Sequence, residues 1–378
     1  MTALEELTKL ADTLTNPYIE RWKEKGGKVI GYYCCYCPEE IIHAAGMLPY
    51  RMRATGSTSS ELGDVYASST TCTFCRHCLD QAMRGEYKFL DGLTTLHGCD
   101  HISRTFDAWR YGKVPTPYSP FYLRLLDIPF KIEALSLEWM RVQVDRFKRS
   151  LEEHFQVKIT DEALRQSIKT YNEKRRLLKS LYELRKKEAP PITGAEALGI
   201  VIASTSMPVE EFNEQLKKML DEVNGRDGFS DYSARLLLAG GELDDRAYIE
   251  LIEELGGLVV TDALCVGLRQ FWDLVDEDSE PIAALAKRYL ERSISCPRMV
   301  DYQRRLKFIS DLAKEFKVDG IIVQRLKMCD NWGCDSALIQ RRSRKEGTPC
   351  LILEREYLMS AVGQMRTRVQ AFLETIGR

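Results

Sequence analysis

Short apolar runs alternate with amphipathic stretches along this chain, and the alternation predicts the elements. Lys28-Val-Ile-Gly-Tyr-Tyr33 reads as a strand that runs into Cys34-Cys-Tyr-Cys-Pro38. Pro38 with Glu39 and Glu40 then opens a helix, because proline suits the first helical turn and carboxylates suit its positive end. That helix ends at Gly46, and Leu48-Pro-Tyr-Arg-Met52 begins the next extended piece. Gly56–Gly63 is a polar, Gly/Ser-rich loop, Cys72 to Met83 reads as a second helix, and Phe89–Leu96 as another strand. Strand and helix alternating in units of about 30 residues predict a parallel sheet.

The pattern repeats near the far end. Arg235-Leu-Leu-Leu-Ala239, Leu258-Val-Val-Thr261, Asp319-Gly-Ile-Ile-Val-Gln324 and Pro349-Cys-Leu-Ile-Leu-Glu354 are buried-strand patterns separated by helical stretches. Between the two units the periodicity becomes that of long helices, with an apolar stripe through Leu177, Leu181 and Leu184. With 378 residues against a usual ~150 per domain, the expected organisation is an N-terminal helix and first α/β domain over 1–127, a helical connector over 128–228 and a second α/β domain over 229–378. The connector holds 15 Lys/Arg and 10 Asp/Glu between Lys131 and Glu188. This excess reads as the solvated face of its helices, or as a cationic surface for a phosphorylated ligand.

The remaining composition narrows the function classes. A net charge of −2 gives no general attraction to nucleic acid or anionic lipid. No apolar run approaches the roughly 20 residues of a membrane span, and the acidic amphipathic start, Met1–Leu14, lacks the features of a signal peptide. A cytoplasmic protein is expected. No P-loop, dinucleotide fingerprint or hydrolase elbow occurs in the chain.

Twelve cysteines are the anomaly. In a reducing compartment they are buried apolar thiols, catalytic thiols or thiolate ligands to a soft metal centre. They cluster, and their placement is informative. Cys34, Cys99, Cys265 and Cys329 each follow an expected strand, Cys72 lies near a helix start, and Cys296 lies in a loop before a helix. Ligands in open α/β sheets bind beyond the carboxyl ends of the strands, so both units would aim thiols at a shared cleft. Cys72-Thr-Phe-Cys75-Arg-His-Cys78 has part of a ferredoxin spacing. It also has a zinc spacing, and helical pitch need not turn all three thiols toward one metal. His97 and His101 flank Cys99-Asp100, either tuning that site or serving as ordinary loop histidines, and His43 reads as a partly buried, satisfied histidine.

Tyr36-Cys-Pro-Glu-Glu-Ile-Ile-His-Ala-Ala-Gly-Met-Leu-Pro49 resembles a stretch near the start of subunits of the 2-hydroxyacyl-CoA dehydratase and benzoyl-CoA reductase family. Cys72-Thr-Phe-Cys-Arg76, Phe89-Leu-Asp-Gly92, Cys99-Asp100, Val318-Asp-Gly-Ile-Ile322, Cys329-Asp330 and Gly363-Gln-Met-Arg-Thr-Arg-Val-Gln-Ala-Phe-Leu-Glu374 fall in that family's order. The resemblance implies two flavodoxin-like domains joined by a helical region, with an iron–sulfur cluster between them. By motif position Cys72, Cys99 and Cys329 would hold a [4Fe–4S] cluster, which demotes Cys75 and Cys78. It also implies paired subunits, a separate ATP-hydrolysing iron–sulfur activator that supplies low-potential electrons, and a CoA thioester substrate that passes through a ketyl radical.

Cys34, Cys265 and Cys296 resemble the extra cysteines of double-cubane relatives, homodimers that carry an [8Fe–9S] cluster on six thiolates and reduce small molecules. Both readings stay open: a dehydratase or reductase subunit with three ligands, or a double-cubane reductase with six. Arg269, Arg298, Arg366 and Arg368 are candidates to bind CoA phosphates or the activator, against surface ion pairing.

Overall fold

The structure, a computed structural model, describes residues 1–112, 114–117 and 120–377. It contains two four-stranded, wholly parallel sheets. The first is built from β1 (Val29–Tyr32), β2 (Leu48–Arg51), β3 (Gly92–Leu96) and β4 (Tyr122–Leu126), in the order β2-β1-β3-β4. The second is built from β5 (Ala234–Gly240), β6 (Gly257–Leu264), β7 (Gly320–Leu326) and β8 (Cys350–Arg355), in the order β6-β5-β7-β8. The two orders are equivalent. In each sheet the winding reverses between the first and third strands, β1 and β3 or β5 and β7, and a crevice opens there beyond the strand ends.

Strands covered on both faces read as continuous apolar runs rather than alternations, which is why β1, β2, β3, β5 and β6 are buried throughout. The edge strand β4 was not expected. Its middle residues, Leu123, Arg124 and Leu125, are only half-buried, and it pairs on one side alone, so its short mixed sequence carries little apolar signal. At the end of β5, Gly240 is required by close approach, since a Cβ there would collide with the Gln324 carbonyl on β7.

The long helices Ala134–Phe155 and Asp161–Leu184 occupy the expected connector. One part of its basic character differs from a solvated face. Lys174 and Arg175 turn inward, where Arg175 pairs with the fully buried Glu40 and Lys174 lies 3.4 Å from Glu39. Tyr289 donates to Glu40 (2.8 Å) and Tyr32 to Glu39 (2.8 Å), completing a buried polar network. The network fastens the connector to the helix Glu39–Ala44, which starts just after the Cys34–Cys37 run.

The chain also interleaves its ends. The N-terminal Leu7 and Leu10 lie in the core of the second sheet with Leu198, Leu216 and Ile249. Conversely, Val275, Leu285, Tyr289 and Met299 lie in the core of the first sheet with Ile41 and Phe147. This return carries Cys296 back to the carboxyl edge of β1. No helix among the described residues is long and apolar enough to cross a membrane.

Candidate thiol centre

Cys72, Cys99 and Cys329 line one cavity of about 280 Å³, together with His97, Asp100, His101 and Arg298. Each of the three cysteines is the N-cap of a helix: Thr73–Arg84, Asp100–Tyr111 and Asp330–Glu346. Cys99 and Cys329 stand in the short turns after β3 and β7, and each turn feeds directly into its helix. Three positive helix ends therefore meet at one cavity, an arrangement that favours thiolates and an anionic occupant. The amides of Cys75, Ile102 and Trp332, three residues on, each act to favour the thiolate, although none closes a capping hydrogen bond. Met328, immediately before Cys329, takes the left-handed backbone region at φ 65°, a conformation that costs a non-glycine residue about 1–2 kcal/mol.

The three thiols differ in acidity. Cys72 is drawn down to about 5 by the hydrogen bond it accepts from the Cys75 thiol and, against its burial, by His101. His101 is raised in turn by Cys72, and its Nδ1 accepts the Cys72 amide at 3.2 Å. Burial raises Cys99 and pushes Cys329 up to about 12. A soft metal bound here would displace protons from those two.

Cys34, Cys265 and Cys296 do not line this cavity. They gather beside it with Cys35, which is not among the expected ligands. Arg269 Nη1 donates to Cys265 Sγ at 3.2 Å. The Cys34 thiol is raised first by its hydrogen bond to Cys35, then by burial and by the neighbouring Cys35 and Cys296. Cys35 is lowered by that same bond, and the nearby Arg292, Arg269 and Arg51 act in the same direction. Cys265 is raised by burial, against the pull of Arg269. Cys296 acts electrostatically on Cys34 and Cys265 and also on Cys99 and Cys329, so it stands between the two sets.

For the arginines the expectations need correction only at Arg269 and Arg298, whereas the demotion of Cys75 and Cys78 agrees with where those side chains lie. Arg269 and Arg298 are buried at 2% and 7% exposure rather than paired at the surface, and Arg298 lines the thiol cavity. Arg298 spans the cavity wall, donating to the carbonyls of His97, Ile128 and Pro129. Arg366 pairs with Glu254 at the surface and Arg368 caps the Ile352 carbonyl. The helix Thr73–Arg84 turns Cys75 and Cys78 into the core under it, so the C-x-x-C-x-x-C run does not close on one ion. No three His, Cys, Asp or Glu side chains among the described residues converge tightly enough to hold a single metal ion. The thiols stand instead around a volume many times the ~30 Å³ of one water, and all twelve cysteines are free. Separated soft ligands around a space of that size, under three helix N-termini, fit a polynuclear metal–sulfide group. His43 is satisfied between Ser167 and Glu210 (2.8 and 2.9 Å). His97 faces Asp127 at 3.2 Å.

Comparison with known proteins places this architecture. The family model for the 2-hydroxyglutaryl-CoA dehydratase D-component matches residues 34–376. The chain is 28% identical to the (R)-phenyllactyl-CoA dehydratase beta subunit of Clostridium sporogenes, over 97% of each chain. It is 26% identical to a benzoyl-CoA reductase subunit of Thauera aromatica, over 94% of this chain and 93% of that one. It is 28% identical to the putative dehydratase subunit YjiM of Escherichia coli K12, with the same coverage. The chain belongs to the 2-hydroxyglutaryl-CoA dehydratase D-component family and is an enzyme of its dehydratase or reductase type.

Proposed function

We propose that this chain is a cytoplasmic iron–sulfur subunit that reduces or dehydrates a CoA thioester, using low-potential electrons from a separate ATP-hydrolysing iron–sulfur activator. The observation that carries this reading is the meeting of three N-cap cysteines, from both sheets, on one cavity. Cys72, Cys99 and Cys329 would hold a [4Fe–4S] cluster. When bound, such a group supplies a low-potential electron store and, at an iron without a protein thiolate, a Lewis acid.

The chain's own residues have definable tasks. The helix N-termini offset the negative charge of thiolate and sulfide. Arg298 ties the turn at His97 to the segment at Ile128 and Pro129, and it lies 4.2 Å from the Phe130 ring. Phe130 also borders a more apolar groove of about 600 Å³ lined by Leu135, Trp139 and Val142. Because Phe130 belongs to both linings, an acyl group lying there would be adjacent to the thiol cavity. A homologous subunit would complete the enzyme, in keeping with the relatives' names as subunits of larger enzymes.

A specific observation favours a second reading. The half-buried group of Cys34, Cys265 and Cys296, with Cys296 acting electrostatically on both sets, suits a six-thiolate [8Fe–9S] double cubane in a homodimer that reduces small molecules. Iron and sulfide content per chain separates the two. Turnover of aryl- or hydroxyacyl-CoA thioesters with activator and ATP tests the first, and no turnover with any CoA thioester, beside reduction of small molecules, would replace it with the second.

A further inference from the structure

The second thiol group is walled by buried arginines, two of which have no carboxylate partner among the described residues. Arg269 is 2% exposed and Arg292 is 1% exposed, and neither forms an ion pair with a carboxylate among the described residues. Arg269 spends Nη1 on Cys265 Sγ at 3.2 Å, while its Nε and Nη2 have no partner. Arg292 donates to the carbonyls of Arg269 and Cys35, lies over the Tyr36 ring at 4.7 Å, and leaves Nε unpartnered. Trp332 Nε1, under the Arg269 guanidinium, is also buried without a partner. Arg51 differs in having Glu242 as its counter-ion, yet two of its nitrogens are orphaned too.

Buried donors are nearly always satisfied, and a buried charge without a counter-ion is costly. So many orphaned donors in one place describe the outline of an anion. The groups that act most strongly on Arg269 are Cys265, Cys296, Cys35 and Tyr36, thiols and a phenol rather than carboxylates. We propose that Arg269, supported by Arg292, is the positioning residue that balances the negative charge of a metal–sulfide group on Cys34, Cys265 and Cys296. Its positive charge, more than its shape, lets that group reside on these half-buried thiols beside the buried guanidiniums. This inference rests on the six-thiolate reading above.

The test compares wild type, Arg269→Gln and Arg269→Lys, each purified anaerobically, by iron and acid-labile sulfide per chain and by the midpoint potential of the reduced-state paramagnetic signal. Wild type should carry about eight irons, and Arg269→Gln should either lose about half of them or keep them at a more negative potential, because an anionic cluster that loses a neighbouring cation is harder to reduce. Arg269→Lys should keep the iron and a potential near wild type. Retention of both in Arg269→Gln would overturn the inference, as would equal losses in the Gln and Lys variants, which would make the role one of shape. About four irons in wild type would remove the six-thiolate reading itself, and the inference with it.

Discussion

Cys99 and Cys329 come from different sheets and distant parts of the chain, yet each caps the helix that follows its strand and both face the same cavity. Equivalent strand orders make this possible. Each sheet opens a crevice where its winding reverses, and apposing the two crevices brings Cys99 and Cys329 to one centre, with Cys72 added by the helix Thr73–Arg84. The positive end of a helix then stands behind each thiol. The centre is thus a product of topology before it is a product of individual residues.

Single replacements of Cys72, Cys99 or Cys329 by alanine should each abolish the iron of this centre, while Cys75→Ala and Cys78→Ala, whose side chains pack into the core, should retain it. Iron analysis with circular dichroism as the folding control decides this. Iron retained in all three of the first set would remove the assignment.

Cys34→Ala, Cys265→Ala and Cys296→Ala divide the two cluster readings. Loss of about half the iron in each supports six thiolates, and unchanged iron supports three. Because Cys296 acts on thiols of both sets, its replacement should also perturb the electron paramagnetic resonance line shape of any remaining cluster.

The elements that position the centre were largely legible in the sequence, because doubly covered strands leave an unmistakable apolar run and four cysteines directly follow such runs. Other parts were not legible, for physical reasons. Cys72 reads as lying near a helix start, but a cysteine is not a usual N-cap, so the same position of Cys99 and Cys329 leaves no capping signature of the Ser/Thr/Asp kind. Arginines are mostly exposed in proteins, so nothing in the residues around Arg269 or Arg175 announces that they turn inward. The half-buried edge strand Tyr122–Leu126 carries an arginine at its centre, which hides its strand character. The doublet Cys34-Cys35 was visible, but its division of roles depends on arginines that only folding brings near.

The buried pair Arg175–Glu40 should respond strongly to removal of one partner. Although burial pushes the Glu40 carboxyl up, the Arg175 and Arg288 guanidiniums hold it below its ordinary value. Glu40→Gln should cost roughly 3–5 kcal/mol of stability at neutral pH. Because its folded value is depressed, the contribution of Glu40 is present above about pH 4.5 and is lost as pH falls through the folded value. Denaturant melts of wild type and variant should converge in acid, and parallel curves at all pH values would contradict the pairing.

Glu253 predicts the opposite dependence. Its carboxylate accepts the amides of Gly194, Ala195 and Val259 (2.7, 3.2 and 3.3 Å), but burial still raises it to about 7. A raised folded value gives stability that is complete below the unfolded value and is lost as pH rises through about 7. Melts between pH 5 and 8 should show wild-type stability falling by up to about 3 kcal/mol from this group, with a shallower fall in Glu253→Gln. An unchanged slope in the variant would show that Glu253 is not the titrating group.

The central claim is that Cys72, Cys99 and Cys329 hold an iron–sulfur cluster, and it meets its most direct test in iron, acid-labile sulfide and zinc measured together on anaerobically purified wild type and Cys99→Ala. The account predicts at least about four irons per chain with matching sulfide in the wild type, little zinc, and loss of that iron in the variant. Zinc without iron, or the same iron in both proteins, would contradict it.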